Sequence, residues 1–229
     1  MFMYGGVNVS ALEPKSQAES QHYELLFMRH PQTEGNVQRR FIGQLNSPLS
    51  EKGKLQRQEA EDALLAWKPE RILCSPLDRC RAIAQPVAEQ LGIDLEIDER
   101  VLEINFGKLE GKTYEEVQAA GLHFPWEAEL NEFEDDADCE SLAQMHERIS
   151  HFCSDLIAET NKAKFKRTAV ISHGGVIRLV LGSYLKIAPQ DVWYIDIDNV
   201  QSCLFEMRGP HLYLKAVGLK PSELAGRNS

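Results

Sequence analysis

Apolar residues in this chain follow two rhythms. Short unbroken runs occur at Leu25–Met28, at Ile72–Cys74 and in the TAVIS segment Thr168–Ser172, and such runs suit strands covered on both faces, as in a parallel sheet. Between them the apolar positions recur at helical spacing. Ala60, Ala63, Leu64 and Trp67 form one face, stopped by Lys68-Pro69, and Cys80, Ala84, Val87 and Leu91 form a second, stopped by Gly92. A third face, Leu142, Met145, Ile149, Phe152 and Leu156, opens with the box Ser141-x-x-Gln144, and a fourth is Val176, Ile177, Val180, Leu181 and Tyr184. Asp94–Ile97 reads as an edge-like strand, and Thr113 with Glu116 caps a short helix. Residues 39–53 are rich in turn formers, with a helix beginning after them; Val200–Met207 and Leu212–Val217 read as closing strands joined by a Gly209-Pro210 turn. Strands alternating with helices predict an α/β fold: three layers, a mostly parallel central sheet and helices on both faces.

Composition narrows the class. A chain of 229 residues, 43% hydrophobic and 26% charged, has the make-up of one globular domain. That domain is expected to span residues 23–229, behind a polar, mobile extension at residues 1–22 that lacks the layout of a secretory signal. The net charge of −10 argues against nucleic acid or an anionic membrane as partner, so any anionic substrate needs a local cluster of cations. Five cysteines without a C-x-x-C pair point to a reducing, cytoplasmic setting. No H-E-x-x-H or paired-cysteine pattern occurs, so neither metal nor cofactor is expected. Oligomeric state stays open.

Three strand ends carry the same type of residue. The first run ends in Arg29-His30, the second runs into Ser75–Arg79, and TAVIS ends in His173. Pro31 ends the first ladder, since it lacks an N–H and biases His30 toward extended backbone. In a parallel sheet these carboxyl ends share one edge, so two arginines and two histidines converge where Gly174-Gly175 opens a helix suited to an anion. A bound phosphate follows. A neutral, fixed imidazole can attack phosphorus, and His30, leaving a strand, is the candidate. Arg29 and Arg79 offer planar forks to phosphoryl oxygens, with Asn36 and His173 as further donors. Glu103 is the candidate proton donor to the leaving group, a role that requires a raised pKa; taken alone, among Asp94, Glu96, Asp98 and Glu99, it reads as a solvated acid.

At these residues the chain resembles the histidine phosphatase superfamily, the phosphoglycerate mutase-like fold. Its R-H-G-x-T-x-x-N motif is matched by Arg29, His30, Thr33 and Asn36, and S-P-L-x-R by Ser75, Pro76, Leu77 and Arg79. L-x-E-x-x-F-G-x-x-E-G is matched by Glu103, Phe106, Gly107, Glu110 and Gly111, and S-H-G-G by Ser172 to Gly175. The resemblance implies that His30 is the phosphorylated nucleophile, Glu103 the proton donor, and Arg29, Arg79 and His173 the phosphate pocket, with Thr33, Asn36 and Gly174 beside it. Departures are Pro31 for the family's glycine, Asn46 for an aspartate common in relatives, and Ile83 for a threonine. The compact spacing between Asn36 and Arg79 and the Arg40, Gly43, Ser47–Ser50 pattern resemble the small phosphatases, α-ribazole phosphatase among them.

The expected activity is therefore metal-independent hydrolysis of a small phosphorylated metabolite. Mutase-type phosphoryl transfer is the alternative, and a non-catalytic phosphate-binding module a third. A cysteine-based phosphatase is disfavoured, because Cys74 and Arg79 are one residue too close and a thiol in an apolar strand is inert. Substrate choice is expected to lie in a cap segment at residues 105–139, with Phe124 and Trp126 as candidate contacts for a ring-bearing leaving group.

Overall fold

A computed structural model describes residues 22–122, 138–163, 165–208 and 211–228. Six strands form one sheet: β1 (His22–Arg29), β2 (Arg71–Cys74), β3 (Leu95–Ile97), β4 (Arg167–Ser172), β5 (Ser202–Arg208) and β6 (His211–Leu219). Their order is β3-β2-β4-β1-β5-β6. The first four run parallel, while β5 is antiparallel to β1 and β6 to β5. The helices are α1 (Glu34–Val37), α2 (Glu51–Trp67), α3 (Asp78–Leu91), α4 (Tyr114–Ala119), α5 (Leu142–Ala163), α6 (Gly174–Leu185) and α7 (Pro221–Ala225).

Successive residues of a strand face opposite ways, so β1 feeds two cores. Leu25 and Phe27 pack with Met145, Ile149, Phe152, Val176 and Ile177 of α5 and α6. Leu26 and Met28 pack with Leu64, Trp67, Ile83 and Val87 of α2 and α3. The sheet therefore lies between two helical layers, as expected. Ile83, one of the departures from the resembled pattern, is fully buried in the second core.

Four local outcomes refine the sequence reading. α2 starts at Glu51, because Ser50 caps it by accepting from Gly53 N at 3.0 Å; Gly53 lies inside the helix, where a Cβ would stand 1.9 Å from Gln32 O. β5 begins at Ser202 rather than Val200, since Val200 adopts φ 58°, outside strand geometry, and its N–H donates to Arg29 O at 3.1 Å. The boxes at Thr113/Glu116 and Ser141/Gln144 are closed in both directions. β1 takes up His22, leaving residues 1–21 of the expected extension outside the described residues. Of the cap segment, residues 105–122 contain a 3₁₀ turn at Gly107–Leu109 and α4, while Phe124 and Trp126 lie outside the described residues, as does the Gly209-Pro210 turn. Among the described residues no helix is long and apolar enough to cross a membrane.

Candidate active site

Parallel pairing puts three chain segments on one edge. Arg29 is in register with Ser172, and Cys74 with Ile171. Just beyond that register His30 N donates to Ser172 O at 2.9 Å and Ser75 N to Ile171 O at 3.0 Å. The ladder thus carries Arg29-His30, Ser75 and His173 to the same carboxyl edge, where open α/β sheets bind ligands. Arg29, His30, Thr33, Asn36, Arg79 and Glu103 line one cleft there, of about 140 Å³. Phe41 and Phe106, edge to face with centroids 5.3 Å apart, stand at it as well.

His30 is buried, and its Nδ1 lies 2.7 Å from Pro31 O. A carbonyl only accepts, so Nδ1 carries the proton and Nε2 keeps its lone pair. Burial, then the charges of Arg79 and Arg29, hold the His30 pKa well below its ordinary value. The imidazole is therefore neutral and fixed in one tautomer, the state a nucleophile needs.

Arg29 Nη1 donates to Ile197 O at 2.6 Å, and Arg79 donates to Leu45 O at 2.8 Å and to Gly43 O at 2.6 Å. These carbonyls fix the two guanidinium planes. The Nε of each arginine is buried with no protein partner, which is costly unless a ligand supplies the acceptor. Burial lowers the pKa of both, opposed by the carboxylate of Glu103. Two forks with orphaned donors in one cleft suit a phosphoryl group.

Thr33 and Asn36 cap α1 reciprocally: Asn36 N donates to Thr33 Oγ1 at 3.3 Å and Thr33 N to Asn36 Oδ1 at 3.1 Å. This spends the Asn36 oxygen and leaves its Nδ2 as a donor in the cleft. Glu103 accepts from Ile104 N at 3.1 Å and from Gly175 N, near the start of α6, at 3.2 Å. Arg148, on α5, donates to the carbonyls of Arg100, Leu102 and Glu103 and pairs with Glu140, so it clamps the loop that carries Glu103.

His173 lies behind the cleft wall. It is fully buried, its ring centroid 5.3 Å from that of His30, with Nδ1 accepting from Arg79 Nη2 at 3.2 Å and Nε2 against Ser75 Oγ at 2.7 Å. Burial and then Arg79 hold its pKa well below the ordinary value. In this arrangement it orients Arg79. Gly174 packs beside Arg29, where a Cβ would meet Arg29 Nε at 3.4 Å and Arg178 Nη1 at 3.0 Å. Pro31 has no N–H to offer, but its carbonyl fixes the His30 tautomer. Asn46 Oδ1 accepts from Asp78 N at 3.2 Å, so a neutral amide serves the start of α3. Cys74 is buried and its pKa raised by burial, which fits an inert thiol.

Sequence reasoning passed over Arg148 and Asn199, whose Nδ2 donates to His30 O at 3.0 Å. Arg148 is one polar residue on an amphipathic helix and carries no local signal; Asn199 reads only as a turn former. No group of His, Cys, Asp and Glu able to hold a metal occurs among the described residues.

Comparison with known proteins bears on the family and the fold. A family model described as histidine phosphatase superfamily (branch 1) matches residues 25–220. The chain is 28% identical over 190 residues to phosphoserine phosphatase 1 of Hydrogenobacter thermophilus, covering 80% of this chain and 86% of that one. It is 29% identical over 177 residues to glucosyl-3-phosphoglycerate phosphatase of Mycolicibacterium vanbaalenii, covering 74% and 76%. In fold it is similar to the α-ribazole phosphatase of Shigella flexneri, with a TM-score of 0.73 at 21% identity over 85% of this chain and 96% of that one.

Proposed function

Because the chain belongs to the histidine phosphatase superfamily, branch 1, we propose that it hydrolyses a small-molecule phosphomonoester through a phosphohistidine on His30. The observation that carries this reading is the Nδ1–H of His30 committed to Pro31 O, which leaves Nε2 unprotonated in a cleft with two arginines whose Nε–H groups lack protein partners.

The steps follow from these positions. Nε2 attacks phosphorus in line, forming an N–P bond as the P–O bond to the leaving group breaks. Arg29, Arg79 and Asn36 meet the charge on the phosphoryl oxygens with donors already in place. Glu103 gives its proton to the departing alkoxide, then takes one from the water that attacks the phosphohistidine. Inorganic phosphate leaves and His30 is regenerated.

The test is turnover of p-nitrophenyl phosphate by wild type and by His30→Ala, with chelator present. Wild type should hydrolyse it and form an acid-labile phosphoprotein on rapid quenching, while His30→Ala does neither. Equal hydrolysis by both removes the nucleophile, and loss of wild-type turnover to the chelator removes the metal-free step. A panel of phosphorylated metabolites then names the substrate; return of the phosphoryl group to a second substrate oxygen instead of water would make the enzyme a mutase.

A further inference from the structure

The turn Asp198–Gln201 lies directly beneath the Arg29-His30 pair. It is closed by Gln201 N donating to Asp198 O at 3.1 Å and by Asp198 N donating to Gln201 Oε1 at 2.9 Å. Inside it Val200 holds φ 58°, a left-handed conformation that β-branched residues rarely adopt. Such strain persists where the surroundings over-determine it, and it concentrates at functional sites. Here the surroundings are the strand end itself. Arg29 N donates to Gln201 O at 3.0 Å, Val200 N to Arg29 O at 3.1 Å, and Asn199 Nδ2 to His30 O at 3.0 Å.

We propose that Asn199 is a positioning residue that acts on His30 through the His30–Pro31 peptide. Its amide pins the His30 carbonyl, and a peptide unit is planar, so the plane reaching Pro31 N is pinned too. The proline ring locks the next φ. Only one backbone angle then separates the pinned plane from Pro31 O, the acceptor of the His30 Nδ1–H bond. In this chain Pro31 is a stiff link that carries the constraint from Asn199 to the imidazole tautomer. The turn is also reachable from its far side, where a hollow of about 570 Å³ is lined by Gln32, Asn199, Val200 and Gln201 and by neither arginines nor histidines.

The inference rests on His30 being the nucleophile. Its test compares wild type, Asn199→Ala, Asn199→Asp and His30→Ala on p-nitrophenyl phosphate, with inorganic phosphate as inhibitor. Asn199→Asp keeps the shape but loses the donor. Both Asn199 variants should lose about tenfold or more in kcat, the scale expected when a reacting group is displaced from its attack geometry, with KM and phosphate inhibition within about threefold of wild type. ¹⁵N spectra of the His30 ring should show the Nδ1–H form alone in wild type and a mixture of tautomers in both variants, a change that loss of stability by itself would not produce. In a Pro31→Gly background, removing Asn199 should cost less than about threefold, because the rigid link is gone. A smaller loss in kcat, a loss carried by KM, an unmixed tautomer or full additivity with Pro31→Gly overturns the proposal. If His30→Ala is inactive while the Asn199 variants match wild type, this inference alone fails; if His30→Ala matches wild type, the phosphohistidine reading fails.

Discussion

His30 and His173 sit with ring centroids 5.3 Å apart beside two arginines. For both, burial is the largest cause of a depressed pKa, and Arg79 the next. Unfolding returns each to an ordinary value near 6.5. Below that pH the unfolded chain binds protons that the folded chain refuses, so folding stability is retained above pH 6.5 and falls as the solution is acidified. Each histidine contributes a slope of up to about 1.4 kcal/mol per pH unit while unfolded and folded forms differ in protonation. Urea midpoints measured between pH 7.5 and 5 should fall for wild type and fall less for His30→Ala; equal slopes would mean that His30 is not buried neutral. Candidate residues at this site were legible because charged and titratable side chains follow apolar runs, directly at Arg29, His30 and His173 and a few residues further on at Arg79. Their partners were not: that His173 engages Ser75 and Arg79 depends on how rings pack in three dimensions, which no spacing along the chain records.

At the scale of elements, α6 shows why the strand-to-helix junction needs small residues. A Cβ on Gly175 would fall 2.3 Å from Glu103 Oε1 and 3.2 Å from Met145 Cε. The first neighbour is the end of a flexible side chain, so Gly175→Ala should fold, and a helical alanine in place of glycine favours the helix. The carboxyl that we propose as proton donor must nevertheless move. We therefore expect kcat to fall by about tenfold or more, within the range of general acid catalysis, while the melting temperature stays within a few degrees of wild type. Full activity would show that Glu103 need not rest on the Gly175 N–H. The elements themselves were legible from periodicity, with α3, α5 and α6 built on the apolar faces read from the chain. The start of α2 was not, because Gly53 reads as a turn former, whereas here the close approach of Gln32 O requires it. Val200 likewise reads as a strand residue until its N–H is seen to be directed at Arg29 O.

For the whole molecule, net charge and site charge oppose each other. The chain carries −10 overall, yet two buried arginines face the cleft. An incoming phosphomonoester is repelled at long range and attracted only at contact, and salt screens the first effect far more than the second. Raising ionic strength from about 0.01 to 0.15 M should leave kcat/KM for p-nitrophenyl phosphate level or raise it by about twofold. A steep fall would reveal a basic surface that steers substrate inward. The strand order has one more consequence. The groups that meet at the cleft and behind its wall come from positions as far apart as Arg29 and His173, and they become neighbours only when β4 is inserted between β2 and β1. Pairing of such distant segments is slow to nucleate, so during refolding from denaturant the recovery of turnover reports completion of the central sheet, and helix formation alone restores none of it.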